Sequence, residues 1–337
     1  MALTTSTKLL LVLSLALNTS TGFAADVEKA NLRWQNEASG NFLNYEWKDP
    51  TIEGETYLNS MLKSVLSYQE QDFSVKIGAI GLRSFGDHDK VGNASPWLQI
   101  ALNIDKHMQF IMGSLETDHN AHEALIAGHR IFDDVSEEGF QLRYLGSLVR
   151  TDFWLNWHKR ETQKEAEQFE VGSTNKLATS YLDIDLQFIA HHIDGQKTED
   201  TTSLRNNIAT FGGTLKLPTE IQPLLGARIL TSSHKLNDAK VVKGVLREIF
   251  AGVNLQLPRE RLVETKVASI KGHDFHSLFG LRPYVLDDYS YFEVSYNQRF
   301  RSLSEGNRFA EFGFRARAER FAKKNHSTQE LTLGVSF

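Results

Sequence analysis

Leu182-Asp183-Ile184-Asp185-Leu186-Gln187-Phe188 decides how this chain folds: every second residue is large and apolar, and every residue between is polar. Successive side chains of a β-strand point to opposite faces, so the stretch has one apolar face and one polar face. Working outward, Leu98 to Ile104 gives an aliphatic face of Leu98, Ile100, Leu102 and Ile104. The same parity runs through Phe73/Val75/Ile77/Ala79, Phe140/Leu142/Tyr144, Ala251/Val253/Leu255/Leu257, Phe292/Val294/Tyr296 and Phe312/Phe314/Ala316/Ala318. Strict alternation signals strands with one apolar and one polar face. A soluble sandwich alternates too, so period two leaves two architectures open.

Composition excludes other classes. The chain has 337 residues, no cysteine, 6 prolines, 41% hydrophobic and 23% charged residues, and a formal charge of -5. A bundle of membrane helices needs runs of ~20 apolar residues, and the mean hydropathy of -0.34 leaves no room for them. With 21 Phe, 9 Tyr and 5 Trp it is not a disordered polymer. There is no basic excess to meet phosphates, so no nucleic-acid partner is expected. Residues 1–24 read as a secretory signal: Lys8, the apolar run Leu9 to Leu17, then Gly22-Phe23-Ala24. Residues 25–337 form one domain on this reading. Export without cysteine suits a periplasmic or outer-membrane protein that needs no disulfide.

Three features favour a membrane barrel over a sandwich. Charges sit in mid-strand on the polar face: Arg143, Asp183, Asp185, Glu264, Lys266, Glu293, Glu311, Arg315 and Arg317. They require water or partners on that side. Connections alternate in length. Gln69–Phe73, Asp105–Met108, Val149–Phe153, Gly172–Lys176, Pro218–Gln222 and Pro258–Leu262 read as tight. Those around Phe85–Pro96, Glu116–Glu138, His192–Ser203, Ser232–Val242 and Lys271–Asp288 read as long and polar. Short turns on one side and long loops on the other are the habit of transmembrane barrels. Finally, Glu330-Leu331-Thr332-Leu333-Gly334-Val335-Ser336-Phe337 alternates into a terminal aromatic. This ending resembles the C-terminal signal of Gram-negative outer-membrane β-barrels, and the resemblance implies that the assembly machinery reads Phe337.

The expected fold is therefore all-β, a transmembrane antiparallel up-and-down barrel in the bacterial outer membrane. Counting back from a final strand that runs inward, with Lys323–Thr328 an outer loop and Arg301–Asn307 an inner turn, gives about 16 strands, with 14 or 18 as neighbours. The count requires an outward strand within Val27–Trp47, ahead of an inward one over Tyr57–Tyr68. Trp157 shares a face with Phe153 and Leu155 at a predicted outer strand end, where an aromatic girdle is expected, whereas Trp97 shares parity with Gln99 and points inward.

Local motifs for chemistry are weak. Asp118-His119-Asn120-Ala121-His122-Glu123 brings histidines and carboxylates together, but lacks the H-E-x-x-H order and falls in the longest loop, where solvated polar residues are the default. His191 and His192 are adjacent on a strand and point apart; His273 and His276 fall in a loop. No Gly-x-Ser-x-Gly elbow occurs. No metal, cofactor or catalytic residue is assigned. About 16 strands enclose a bore that side chains alone do not fill. The lumenal charges then face a wet channel or form a paired plug, and the bore favours the channel, with inward loops such as Glu116–Glu138 able to narrow it. Strand number and charged lumen resemble porin-like barrels, including some associated with exopolysaccharide export. That likeness implies a conduit for hydrophilic solutes, polysaccharide among them. The alternatives are an outer-membrane enzyme acting on lipid or surface polymer, and a non-conducting surface scaffold. Outer-membrane lipid, the barrel-assembly machinery and a periplasmic export partner are the expected partners.

Overall fold

The computed structural model describes residues 31–49, 52–86, 92–128, 130, 135–195, 198, 202–237, 239–301, 309–321 and 323–337. The expected signal, residues 1–24, lies outside them. The strands are β1 (Leu32–Glu46), a small hairpin of β2 (Lys48–Asp49) and β3 (Ile52–Glu53), β4 (Thr56–Glu70), β5 (Phe73–Ser84), β6 (Asn93–Asn103) and β7 (Met108–Ser114). Then come β8 (Glu138–Leu145), β9 (Val149–Lys159), β10 (Glu167–Ala178), β11 (Leu182–Asp194), β12 (Leu204–Lys216) and β13 (Ile221–Leu236). The last five are β14 (Val242–Leu257), β15 (Arg261–His273), β16 (Asp288–Arg301), β17 (Phe309–Phe321) and β18 (Lys324–Ser336). Leaving out the β2–β3 hairpin, sixteen strands close into one antiparallel barrel, each beside its sequence neighbours, and β1 seals it against β18. Full closure leaves no sheet edge, which is what a barrel in hydrocarbon requires.

The seal is completed at the chain's end. Asn36 and Phe337 exchange both backbone hydrogen bonds, each 3.0 Å, one residue beyond the β1–β18 ladder. Phe337 itself lies on the outer face, 55% exposed. Short connections at 71–72, 104–107, 146–148, 179–181, 217–220 and 258–260 share the end of the barrel that holds both chain ends. The longer connections 115–137 and 274–287 belong to the opposite end.

The outward strand required before Tyr57 is β1, despite its poor alternation. Several turn positions differ from expectation. The turn placed at Val149–Phe153 is at 146–148, because Gly146-Ser147 breaks the ladder and the polar Arg150 and Asp152 belong to the lumenal side of β9. The turn placed at Gly172–Lys176 is mid-strand in β10; the chain reverses at 179–181. Gly172 serves packing rather than turning, since the Trp154 ring lies where a Cβ would sit, 2.0 Å from it. An outer connection at 160–166, not marked in the sequence, restores the alternation. Lys323–Thr328 is mostly strand: Lys323 takes a positive φ of 60° and β18 begins at the next residue. The inner turn at Arg301–Asn307 falls largely outside the described residues. Trp157 is on the outer face, 41% exposed and stacked on Phe169, whereas Trp97 faces inward at 3% with the Lys63 ammonium 3.7 Å above its ring.

Parity sorts the wall into two faces. Ile77, Leu98, Phe188, Phe211, Ile249, Val267, Phe292 and Leu333 are among the exposed apolar side chains of the outer face. The lumenal face is polar towards the short-turn end. Towards the long-loop end it turns apolar: Ile189, Ile208, Leu230, Leu246 and Ile270 occupy lumenal positions and are fully buried. An apolar patch inside the barrel needs something to cover it, and two loops do so.

Candidate functional site: a lumen crossed by two inward loops

The described residues of the connections 115–137 and 274–287 fold into the barrel. Ala124, Leu125, Phe275, Leu281 and Tyr284 have almost no solvent contact and join the apolar lumenal residues of β11 to β15 in one cluster. The two loops are also bonded to each other: the Ala127 amide donates to Phe279 O at 2.7 Å, and the Leu281 amide to Glu123 O at 2.7 Å. Gly280 permits this approach, because a Cβ there would lie 2.1 Å from the Ala124 carbonyl oxygen. At its other end the first loop lays Val135 against Val65, Ile80, Leu82 and Trp97 of β4, β5 and β6. The loop therefore spans the bore.

Charge holds it there. Glu123 accepts from Arg317 (2.8 and 2.9 Å) and from the Tyr284 hydroxyl (2.8 Å), with Arg315 at 3.8 Å. Burial by itself would raise the Glu123 carboxyl, but the two guanidinium groups hold it well below the ordinary carboxylate range. His119 lies between carboxylates from different elements, Nδ1 2.8 Å from Asp152 and Nε2 2.6 Å from Glu137, with its ring stacked on Trp154 at 3.9 Å. Burial opposes the charged ring, yet the hydrogen bonds and charges of Asp152 and Glu137 outweigh it, and its pKa rises from 6.5 to about 9. His119 is thus an imidazolium donating from both nitrogens. His122 is the reverse case. Burial, then the nearby Arg228, lower its pKa. Its Nδ1 accepts from the Ala124 amide at 3.2 Å, so the neutral ring carries its proton on Nε2 and donates to Glu248 at 3.3 Å.

Glu248 is a hub, reached also by Arg228 (2.6 Å) and Lys266 (3.0 Å). Glu170 plays the same part four strands further round the wall, accepting from Trp154 Nε1 at 2.7 Å and pairing with Arg130 of the loop at 2.7 Å.

The mid-strand charges singled out in the sequence fall along this wall. Arg143 pairs with Asp118 (2.9 Å), Asp183 with Lys216 (2.6 Å) and Lys176 (3.3 Å), and Asp185 with Arg228 (3.2 Å). Lys266 reaches Glu248, Glu293 reaches Arg317 (2.7 Å), and Glu311 reaches Arg299 (2.9 Å). Arg315 pairs with Glu330, and Glu264 accepts from the Ser295 hydroxyl (3.3 Å). Near Arg315 the inner half keeps a cavity of about 250 Å3 lined by Glu264, Glu293, Asn297, Glu330 and Thr332. A second, of similar size, borders the first loop at Thr117, Asp118, Arg130 and Glu137.

The loop residues Asp118 to Glu123, read in the sequence as solvated, are largely packed into the lumen. The correction concerns His119, His122 and Glu123: each faces an oppositely charged or hydrogen-bonding wall residue that local sequence cannot reveal. His191 and His192 do point apart, the first towards Glu170 (3.2 Å) and the second onto Phe169 outside. Among the described residues no group of three or more His, Asp or Glu side chains is arranged to hold a metal ion. The residues missed were Glu170, Glu248 and Arg228. Their signal was faint: a charged residue at a lumenal position whose aromatic or charged partners sit on the adjacent strands.

The sequence profile described as lipid A 3'-O-deacylase-type matches residues 24–230, more than half of the chain. The chain belongs to that family. No curated protein matches it in sequence. Its backbone resembles solved barrels: the anion-selective porin of Comamonas acidovorans has a TM-score of 0.55 at 10% identity, covering 91% of this chain and 100% of that one. A loop-deletion form of OmpT, an outer membrane protein of Vibrio cholerae, has a TM-score of 0.53 at 9% identity, covering 91% and 99%. At such identities the likeness concerns the fold alone. This family member is a sixteen-stranded closed barrel with the fold of outer-membrane porins.

Proposed function

We propose that the barrel is a narrow, porin-like conduit for small hydrophilic solutes. The observation that carries this reading is the loop 115–137. Its described residues reach from β4–β6 to β17, and cavities of about 250 Å3 remain in the inner half beside Arg315 and along the loop itself. A charged lumen narrowed by an inward loop sorts solutes by size and charge. The cavity next to Arg315 carries Glu264, Glu293 and Glu330, of which Arg315 and Arg317 pair two; the excess carboxylate favours cations over anions at the inner vestibule. An extended polysaccharide would require the loops to leave the lumen. The test is single-channel recording in planar bilayers. Small, stepwise, cation-preferring openings are expected; a silent barrel at all voltages counts against the conduit.

A second reading is favoured by one observation, the family match over residues 24–230. On that reading the barrel removes an acyl chain from outer-leaflet lipid. Ester hydrolysis needs a base beside a nucleophile or water. Both imidazole nitrogens of His119 and of His122 are directed at carboxylates or backbone, and Nδ1 of His191 is directed at Glu170; none of these contacts reaches a Ser or Thr hydroxyl. Incubating the protein with lipid A and measuring released fatty acid separates the two readings, because the conduit predicts none.

A further inference from the structure

The outer face carries a feature that neither reading uses. Arg205 on β12, Lys235 on β13, Lys243 and Arg247 on β14, Lys271 on β15 and Arg320 on β17 all have outward parity and gather towards the long-loop end. Two register pairs place like charges directly opposite: Arg205 faces Lys235, and Arg247 faces Lys271. Like charges so placed repel and destabilise a sheet unless something negative sits between them. Among the described residues the only ion pair in this arc joins Arg205 to Asp194, at 3.9 Å with both side chains substantially exposed. Asp288 stands opposite Lys271 across β16, but no ion pair joins them.

Depth gives the arc its meaning. Leu257 and Arg261 are register partners at the inner end of the β14–β15 ladder, and Arg247 and Lys271 are partners ten residues further up. At ~3.3 Å per residue and a strand tilt of ~40°, ten residues climb roughly 25 Å, the height of the apolar band of such barrels. The outward side chains of β14 between these levels are Ile249, Ala251, Val253 and Leu255. Arg320 stands the same ten residues above Ala310, and Arg205 the same distance below Leu215 in sequence, with Asn207, Ala209, Phe211 and Gly213 between. Arg205, Arg247, Lys271 and Arg320 therefore lie at the upper edge of the hydrocarbon, where headgroup phosphates of the outer leaflet lie, and Lys243 stands four residues further out on β14.

We propose that the outward arc over β12–β17, centred on Arg247 and Lys271, binds the phosphate groups of a phosphorylated outer-leaflet glycolipid. All its members except Arg205 lie beyond residue 230, outside the part of the chain that matches the deacylase-type profile. The inference is therefore independent of hydrolysis and of conduction. The lipid acts as a clamp: its phosphates neutralise facing cations, and its acyl chains lie against the apolar wall below.

The experiment measures retention of lipid by the full-length barrel in neutral detergent. Bisphosphorylated lipid A, dephosphorylated lipid A and inorganic phosphate serve as probes, and native mass spectrometry provides the readout. Wild type is expected to retain the bisphosphorylated lipid and release the dephosphorylated one. Each cation near an anionic headgroup is worth about a factor of five, so Arg247→Gln/Lys271→Gln should weaken retention roughly 30-fold. Equal retention by the double variant overturns the proposal. So does equal retention of phosphorylated and dephosphorylated lipid by wild type, a comparison that needs no variant to fold. Inorganic phosphate that binds as tightly as the lipid would also overturn it, since the site would then be a plain anion site.

Discussion

Glu123→Ala should loosen both inward loops without opening the barrel. The carboxylate joins the first loop to Arg317 and to Tyr284 of the second loop, and its removal leaves the Tyr284 hydroxyl without that acceptor. Arg317 keeps Glu293 at 2.7 Å, so no guanidinium is stranded and the full penalty of an unpaired buried charge does not apply. Loss of charge-assisted hydrogen bonds of this kind costs about 2–3 kcal/mol, or roughly 30- to 140-fold in the ratio of docked to released loop. The apolar contacts of Leu125, Phe275 and Leu281 remain, so most molecules stay docked. Hydrogen exchange reads such a change directly. The Ala127 and Leu281 amides are bonded only between the two loops, to Phe279 and Glu123 carbonyls. Their exchange should accelerate by that factor, while amides of the β12–β14 ladder stay as slow as in wild type. Unchanged exchange at 123–128 and 279–284 would refute the idea that charge holds the loops in place. Acceleration throughout the wall would show instead that Glu123 supports the barrel itself.

Four further outcomes follow from the same geometry. The raised pKa of His119 means its contribution is complete below about pH 6.5 and is lost as pH rises through about 9; the wild-type melting temperature should fall across that interval more than that of His119→Gln. Leu186→Arg, on the outer face and well up β11, should cost about 2–4 kcal/mol in lipid, whereas Ile184→Arg, close to the inner end, should cost roughly 1 kcal/mol or less; equal costs would contradict the depth assignment. Asp185→Arg should destabilise by about 3 kcal/mol because it sets a second cation against buried Arg228, while Asp185→Asn should cost less, Arg228 keeping Glu248; the order is checked by urea unfolding in vesicles. Deleting Phe337 removes the last backbone pair between the two ends of the barrel, so the amount of protein recovered in the outer membrane should drop; recovery at wild-type levels would show that closure and assembly do not depend on it.

The wall was legible because its information is local. Leu182 to Phe188 states which face meets lipid, and that rule depends only on strand geometry. Strand number followed from counting reversals. Errors occurred where a residue's role depended on a partner across the sheet. Gly172 looked like a turn because a glycine in a polar stretch usually is one, but it is bare so that Trp154 can lie over it. β1 alternates poorly because its pairing, with β4 on one side and β18 on the other, decides its position more than its own pattern does.

The lumen was legible only in part. Parity alone put Asp185, Lys266 and Arg317 on the polar face, but whether that face meets water or another side chain depends on residues far away in the chain. Arg317 meets Glu123, 194 positions earlier, and His119 meets Asp152 from another element. A loop rich in Asp, His, Asn and Glu looks solvated by composition. It is drawn inward because the barrel presents Ile189, Ile208, Leu230, Leu246 and Ile270 to its own interior, and apolar surface in water gains free energy when covered. The sequence by itself determined a closed, outer-membrane-type wall, since period-two patterning is set by adjacent residues. Only the tertiary structure decided what fills the bore, since burial and charge pairing there are set by strands that meet across it.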